Sequence, residues 1–131
     1  MKDPRWLTRE ECLALHDSMV SQYGGIAGVG DEHLRDSALA RPQQLFACGK
    51  PDMADMAAAY AAGIVKNHPF LEGNKRTGFM LGAGFLERNG FEFRATEAEA
   101  ALQTLALAAG KMSEVAYAAW LKANAKRARA K

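Results

Sequence analysis

The sequence predicts an all-α fold, a compact single-domain helical bundle over residues 1–131. Three observations carry that expectation. Apolar residues recur at helical spacing in one segment after another. Residues that suit helix N-caps open those segments, and glycine or proline closes them. No alternating apolar–polar run is long enough to build a sheet. A chain of 131 residues has the size of one domain, and a hydrophobic share of 49% is enough for one core.

Thr8-Arg-Glu-Glu11 reads as a capping box with Leu7 ahead of it. Cys12, Leu15, Met19 and Tyr23 follow at helical spacing, and Gly24-Gly25 stops the run. Gly24–Gly30 reads as a loop. A second helix starts near Asp31 or Asp36 and is expected to break at Pro42, leaving Gln43–Met53 as a loop or short hairpin. Asp52 or Ala54 opens a third helix through Met56, Ala57, Tyr60 and Ile64. It ends at Asn67 or His68, because Pro69 disfavours helical geometry in the residue before it.

A fourth helix begins near Gly73–Asn74 and ends at Asn89-Gly90. Phe79, Met80, Leu81, Ala83, Phe85 and Leu86 make it apolar on nearly every side, so it is expected to be the buried central helix. Each of its interior glycines, Gly78, Gly82 and Gly84, costs roughly 1 kcal/mol against alanine. Close approach of neighbouring helices is the simplest compensation. Phe91–Arg94 reads as a short extended piece. A fifth helix starts at Thr96 or Glu97 and runs through Leu102, Leu105 and Leu107 to Gly110. Ser113 caps the last, with Val115, Trp120 and Leu121 on its apolar side.

A net charge of +2 is too close to neutral to imply a nucleic-acid or membrane partner. The basic cluster Lys122, Lys126, Arg127, Arg129 and Lys131 reads as a solvated last helical turn. Cys12 reads as a small core residue, and neither it nor Cys48 has metal-ligand spacing. With no signal peptide and no apolar run long enough to span a bilayer, the expected location is cytoplasmic.

His68-Pro-Phe-Leu-Glu-Gly-Asn-Lys-Arg-Thr77 concentrates an imidazole, a carboxylate, a carboxamide, an ammonium and a guanidinium in one turn between two helices. Gly73 lets the backbone approach a ligand closely. The N–H groups after it form an anion site at a helix start, to which Lys75 and Arg76 add two positive charges. This combination predicts a polyphosphate. Glu72 would repel phosphate unless a magnesium ion stood between them, and magnesium takes few protein carboxylates. His68 ends the preceding helix, where partial negative charge suits a general base that holds a proton during reaction.

Each residue also has a plainer reading. Asn74 would cap the helix, Lys75 and Arg76 would be surface charges, and Glu72 would pair with Arg76 four residues on. His16 and His33 read as structural. His68 and Glu72 have a zinc-like spacing, but Pro69 and Gly73 break the helix that it needs, and no third ligand is evident. All five chemical groups within ten residues at a buried helix start outweigh the plainer readings.

His68–Thr77 resembles the signature loop HPFx(D/E)GN(K/G)R of the Fic/Doc superfamily. Lys75 followed by Arg76 and Thr77 resembles the Doc branch, the death-on-curing toxins of toxin–antitoxin modules. Asp36–Pro42 and Phe85–Gly90 resemble further family segments. Larger Fic members transfer AMP to a protein hydroxyl and carry a second arginine where this chain has Phe79. Doc-type members hold ATP the other way round and pass its γ-phosphate to a threonine of translation elongation factor Tu. The resemblance implies His68 as base, Glu72 as magnesium ligand, and Gly73, Asn74, Lys75 and Arg76 as the phosphate grip, with Arg76 also catalytic. Glu72 stands where aspartate is common.

The leading expectation is therefore a kinase toxin using ATP and Mg2+. An AMP transferase is the runner-up, and a non-catalytic antitoxin-binding or co-repressor module the third reading. Some Fic proteins silence themselves through a helix of pattern (S/T)xxxE(G/N). The only Glu before Gly or Asn here is Glu72, inside the loop itself. A separate antitoxin is expected to act instead, folding into an apolar groove left by the alanine-rich stretches Ala57–Ala62 and Ala98–Ala109. Direct nucleic-acid binding is not expected.

Overall fold

The computed structural model describes residues 3–128. Six helices and one two-stranded sheet follow in the order α1 (Arg9–Tyr23), α2 (Glu32–Cys48), α3 (Met53–Asn67), α4 (Asn74–Arg88), β1 (Phe91–Phe93), α5 (Glu97–Ala108), α6 (Glu114–Ala123) and β2 (Ala125–Arg127). The fold is all-α, as the periodicity predicts.

α1 starts with both halves of the Thr8/Glu11 capping box in place, and Gly24 at φ 82° ends it. Its cap is tied to the core by the Leu7 N–H, which donates to the Tyr60 hydroxyl at 3.1 Å. The end of α4 is strapped to the same segment. Trp6 stacks on Phe85 with centroids 5.8 Å apart, and Arg88 pairs with Glu11.

α3 is the most enclosed element. Eleven of its fifteen residues are buried, against eight of fifteen for α4. The centre of the bundle is thus α3, with α4 laid along it, rather than α4 alone. Small side chains make this possible. A Cβ on Gly63 would lie 3.0 Å from the Cβ of Ala38 on α2, and one on Gly78 would lie 2.8 Å from Val65 Cγ1. Gly82 approaches the Ala57 carbonyl in the same way, whereas Gly84 faces open space. Two of the three glycines in α4 are thereby explained by close helix approach. Ala57–Ala62 are wholly buried in this contact and leave no groove.

α2 does not break at Pro42 but continues to Cys48, so Gln43–Cys48 is helix rather than loop or hairpin. Pro42 itself is buried, and Phe46 beyond it meets Trp6 edge-on at 5.8 Å. Burial of Pro42 and this contact offset part of the roughly 3 kcal/mol that proline costs inside a helix.

The extended piece at Phe91 is real. β1 pairs antiparallel with β2, Phe91 opposite Arg127 and Phe93 opposite Ala125. Lys126 and Arg127 therefore lie on a strand, and only Lys122 occupies the last turn of α6. Arg129 and Lys131 lie outside the described residues. Leu102, Leu105 and Val115 are exposed, and it is Ala100, Thr104, Leu107, Tyr117, Ala118 and Leu121 that α5 and α6 bury. Among the described residues no helix is long and apolar enough to cross a membrane.

Candidate active site at the start of the fourth helix

The turn between α3 and α4 is built by its own hydrogen bonds. His68 caps α3 at φ 54° and ψ 51°, and its N–H donates to the Ile64 carbonyl at 2.9 Å. It is the one non-glycine residue at positive φ among those described. Pro69 bars the right-handed helical region at this position, and the left-handed one turns the chain out of α3.

Phe70 is driven into the core, 2% exposed, beneath a loop whose polar groups stay outside. Asn74 then closes the loop. Its carboxamide accepts from the Phe70 N–H at 3.0 Å and donates to the Phe70 carbonyl at 2.9 Å. The N-cap of α4 is Gly73, at φ 80°, with no side-chain cap. Asn74 is thus not a helix cap but a clamp, and its side chain is spent within the loop.

His16 supports the turn from below. Its ring stacks on Phe70 with centroids 3.9 Å apart, and Nε2 donates to the Glu72 carbonyl at 2.6 Å. His16 is therefore structural, as the sequence suggests, and what it supports is the site. His33 is exposed in the first turn of α2 and does not line the cavity at this turn.

The glycine-rich segment before α2 flanks the loop. Gly30 and Asp31 N–H groups donate to the Pro69 carbonyl at 2.7 and 3.0 Å, and Val29 forms an antiparallel bridge with Phe70. Glu72 reaches back to this segment, where its Oε2 accepts from the Ile26 N–H at 2.6 Å. A Cβ on Gly25, at φ 118°, would sit 2.7 Å from that oxygen, so the carboxylate would have to shift off its present position.

Lys75 and Arg76 are exposed, and among the described residues neither has an acidic partner within ion-pair distance. The Glu72–Arg76 pair expected from their spacing does not form. Arg76 instead lies over the ring of Tyr23, 4.4 Å from its centroid.

His68, Glu72, Gly73, Asn74, Lys75 and Arg76 all line one cavity of about 690 Å³. Every candidate residue from the sequence is brought together there. The rest of the lining comes from elsewhere: Met19 and Tyr23 of α1, Phe79 and Met80 of α4, and Glu97, Ala100, Ala101, Thr104 and Leu105 of α5. Sequence reasoning missed Tyr23 and Glu97 as site residues, because Tyr23 fits the apolar stripe of α1 and Glu97 fits a first-turn acid. Phe79 sits in an aromatic cluster with Phe93 and Trp120, at 5.8 and 6.2 Å. The cavity combines a helix N-terminus, two cations without an acidic partner among the described residues, a carboxylate and an imidazole, a set that can attract an anion and place a proton acceptor beside it.

Fold and site together define a member of the Fic/DOC family, and the chain belongs to it: residues 6–86 match the model of that family. Within it, the chain is similar to two Doc proteins. One is protein kinase doc of Escherichia phage P1, 34% identical over 89 residues that cover 67% of this chain and 71% of that protein. The other is toxin Doc of Mycolicibacterium smegmatis, 37% identical over 92 residues, 69% of this chain and 68% of the relative.

Proposed function

We propose that the chain is a Doc-type toxin, a protein kinase that passes the γ-phosphate of ATP to a protein hydroxyl. The expected target is a threonine of elongation factor Tu, and a separate antitoxin restrains the enzyme. The observation that carries the reading is the pair Lys75 and Arg76, exposed at a clamped helix start and not neutralised by any described carboxylate. Charges held this way await an anion. The printed names of the two Doc relatives, a kinase and a toxin, support the same reading.

The residues present fit magnesium in one way. No group of three His, Cys, Asp or Glu among the described residues makes a protein cage. Glu72 offers a single exposed carboxylate, which suits a cation that fills its shell with phosphate oxygens and water. When bound, magnesium supplies neutralisation of phosphate charge. The N–H groups following Gly73, with Lys75 and Arg76, hold the phosphates. Asn74 keeps those N–H groups aimed through its clamp on Phe70. His68 takes the proton of the target hydroxyl as that oxygen bonds to the γ-phosphorus. The bond from phosphorus to the bridging oxygen breaks, and ADP leaves.

AMP transfer is the runner-up. Phe79, at the position of the second Fic arginine and packed among Phe93 and Trp120, supports the kinase reading over it. Purified chain incubated with elongation factor Tu and ATP labelled in either the γ- or the α-phosphate tests both. Label from the γ-position alone is the expected result. Label from the α-position makes the enzyme an AMP transferase, and no label from either, on this factor or on whole lysate, favours the binding module.

A further inference from the structure

We infer that Tyr23 is a positioning residue for Arg76, holding its guanidinium over the cavity by stacking rather than by charge. The inference rests on the reading of Arg76 as a phosphate-binding group. Arg76 lies in the first turn of α4, is exposed, and has no carboxylate within ion-pair distance among the described residues. An arginine so placed spreads over many rotamers unless something restrains it. What meets it is the face of Tyr23, 4.4 Å from guanidinium carbon to ring centroid.

Tyr23 is not there to fill the core, since half of it is exposed. It is the last residue of α1, held at the helix end where the Gly24 N–H closes on the Val20 carbonyl at 2.8 Å. Its hydroxyl reaches across to α5 and donates to Glu97 Oε1 at 3.4 Å. Three elements thus converge on one ring, and Tyr23, Arg76 and Glu97 all line the cavity.

Stacking is the restraint that suits an anion site. A carboxylate partner would hold Arg76 equally still but would occupy its fork of N–H donors and cancel its charge. An aromatic face restrains the guanidinium plane and leaves the donors at its edge open for phosphate oxygens. Glu97 engages the phenol and lies outside ion-pair distance of Arg76.

The test compares Tyr23→Leu, which keeps apolar bulk but removes the π face, with Tyr23→Phe, which keeps the face. In nitrogen-resolved NMR the Arg76 side-chain Nε–H signal is expected upfield in the wild type, retained there in Tyr23→Phe and shifted back in Tyr23→Leu. Affinity for inorganic tripolyphosphate is expected to fall by about three- to fivefold in Tyr23→Leu, the scale of a cation–π contact at an exposed site, and to be largely restored in Tyr23→Phe. Two results overturn the inference: an Arg76 signal and affinity that Tyr23→Leu leaves alone, or a Tyr23→Phe variant as weak as Tyr23→Leu. Arg76→Ala separates the two levels of the argument. If it binds tripolyphosphate like wild type, the phosphate reading of Arg76 fails and the inference falls with it, even where the ring contact is seen.

Discussion

At His68 the backbone and the ring do separate work. A left-handed conformation costs a side-chain-bearing residue roughly 1–2 kcal/mol, so the position suits glycine better than histidine on stability alone. His68→Gly is therefore expected to melt no lower than the wild type, and His68→Ala to keep its circular dichroism, while both lose phosphate transfer. Transfer at a near-normal rate in either variant would remove His68 from the reaction. The two thiols differ just as sharply. Burial pushes the Cys12 thiol up to about 11, against a smaller opposing pull from Arg35, while Cys48 is exposed. Because the folded value is raised above the ordinary 9.0, this thiol's contribution is complete below pH 9 and is lost as pH climbs towards 11. Cys12→Ala should flatten that alkaline loss of stability in a melting series. A thiol reagent at neutral pH should titrate one cysteine in the native chain and both in denaturant.

Among the elements, α4 tests what its glycines are for. Gly78 cannot accept a methyl group without pushing Val65 or the Ala61 carbonyl, whereas Gly84 meets nothing within 4 Å. Gly84→Ala should stabilise by about 1 kcal/mol through helix propensity, and Gly78→Ala should destabilise by at least that much. Equal effects in denaturant titrations would contradict the packing. The same helix shows where sequence reading stops. Its start, its end and its glycines were legible because caps and breakers act within a few residues. That α3, not α4, is the most enclosed helix was not, since an alanine run looks the same whether it faces solvent or three neighbours. α2 passes through Pro42 for the same reason: proline's cost is local, but the Phe46–Trp6 contact that helps to offset it joins residues far apart in the chain. The exposed Leu102, Leu105 and Val115 break the apolar-inside rule in the opposite sense.

Over the whole molecule, the candidate site was legible where it is continuous and illegible where it is assembled. Residues 68–76 announce themselves by density of chemistry. Tyr23 and Glu97 reach the cavity only because the ends of α1 and α5 meet there, a fact of tertiary packing. With α3 closed, the exposed large apolar side chains of the alanine-rich stretches are Leu102 and Leu105 on α5, and Leu105 also lines the cavity. Expression of the chain alone is expected to arrest growth, and co-expression of a small protein encoded beside it to relieve the arrest. Harmless expression in the native host would count against a toxin of any mechanism.

The segment matching the family model stops at residue 86, yet Glu97, Ala100, Ala101, Thr104 and Leu105 form one wall of the same cavity. The loop is thus held by its own Asn74 clamp, by His16 and by residues 26–31, all within the matched residues, while part of the cavity lining is contributed by a later stretch of chain. Substitutions at Glu97, Ala101 or Leu105 are therefore expected to reshape the cavity while leaving the loop's own hydrogen bonds in place.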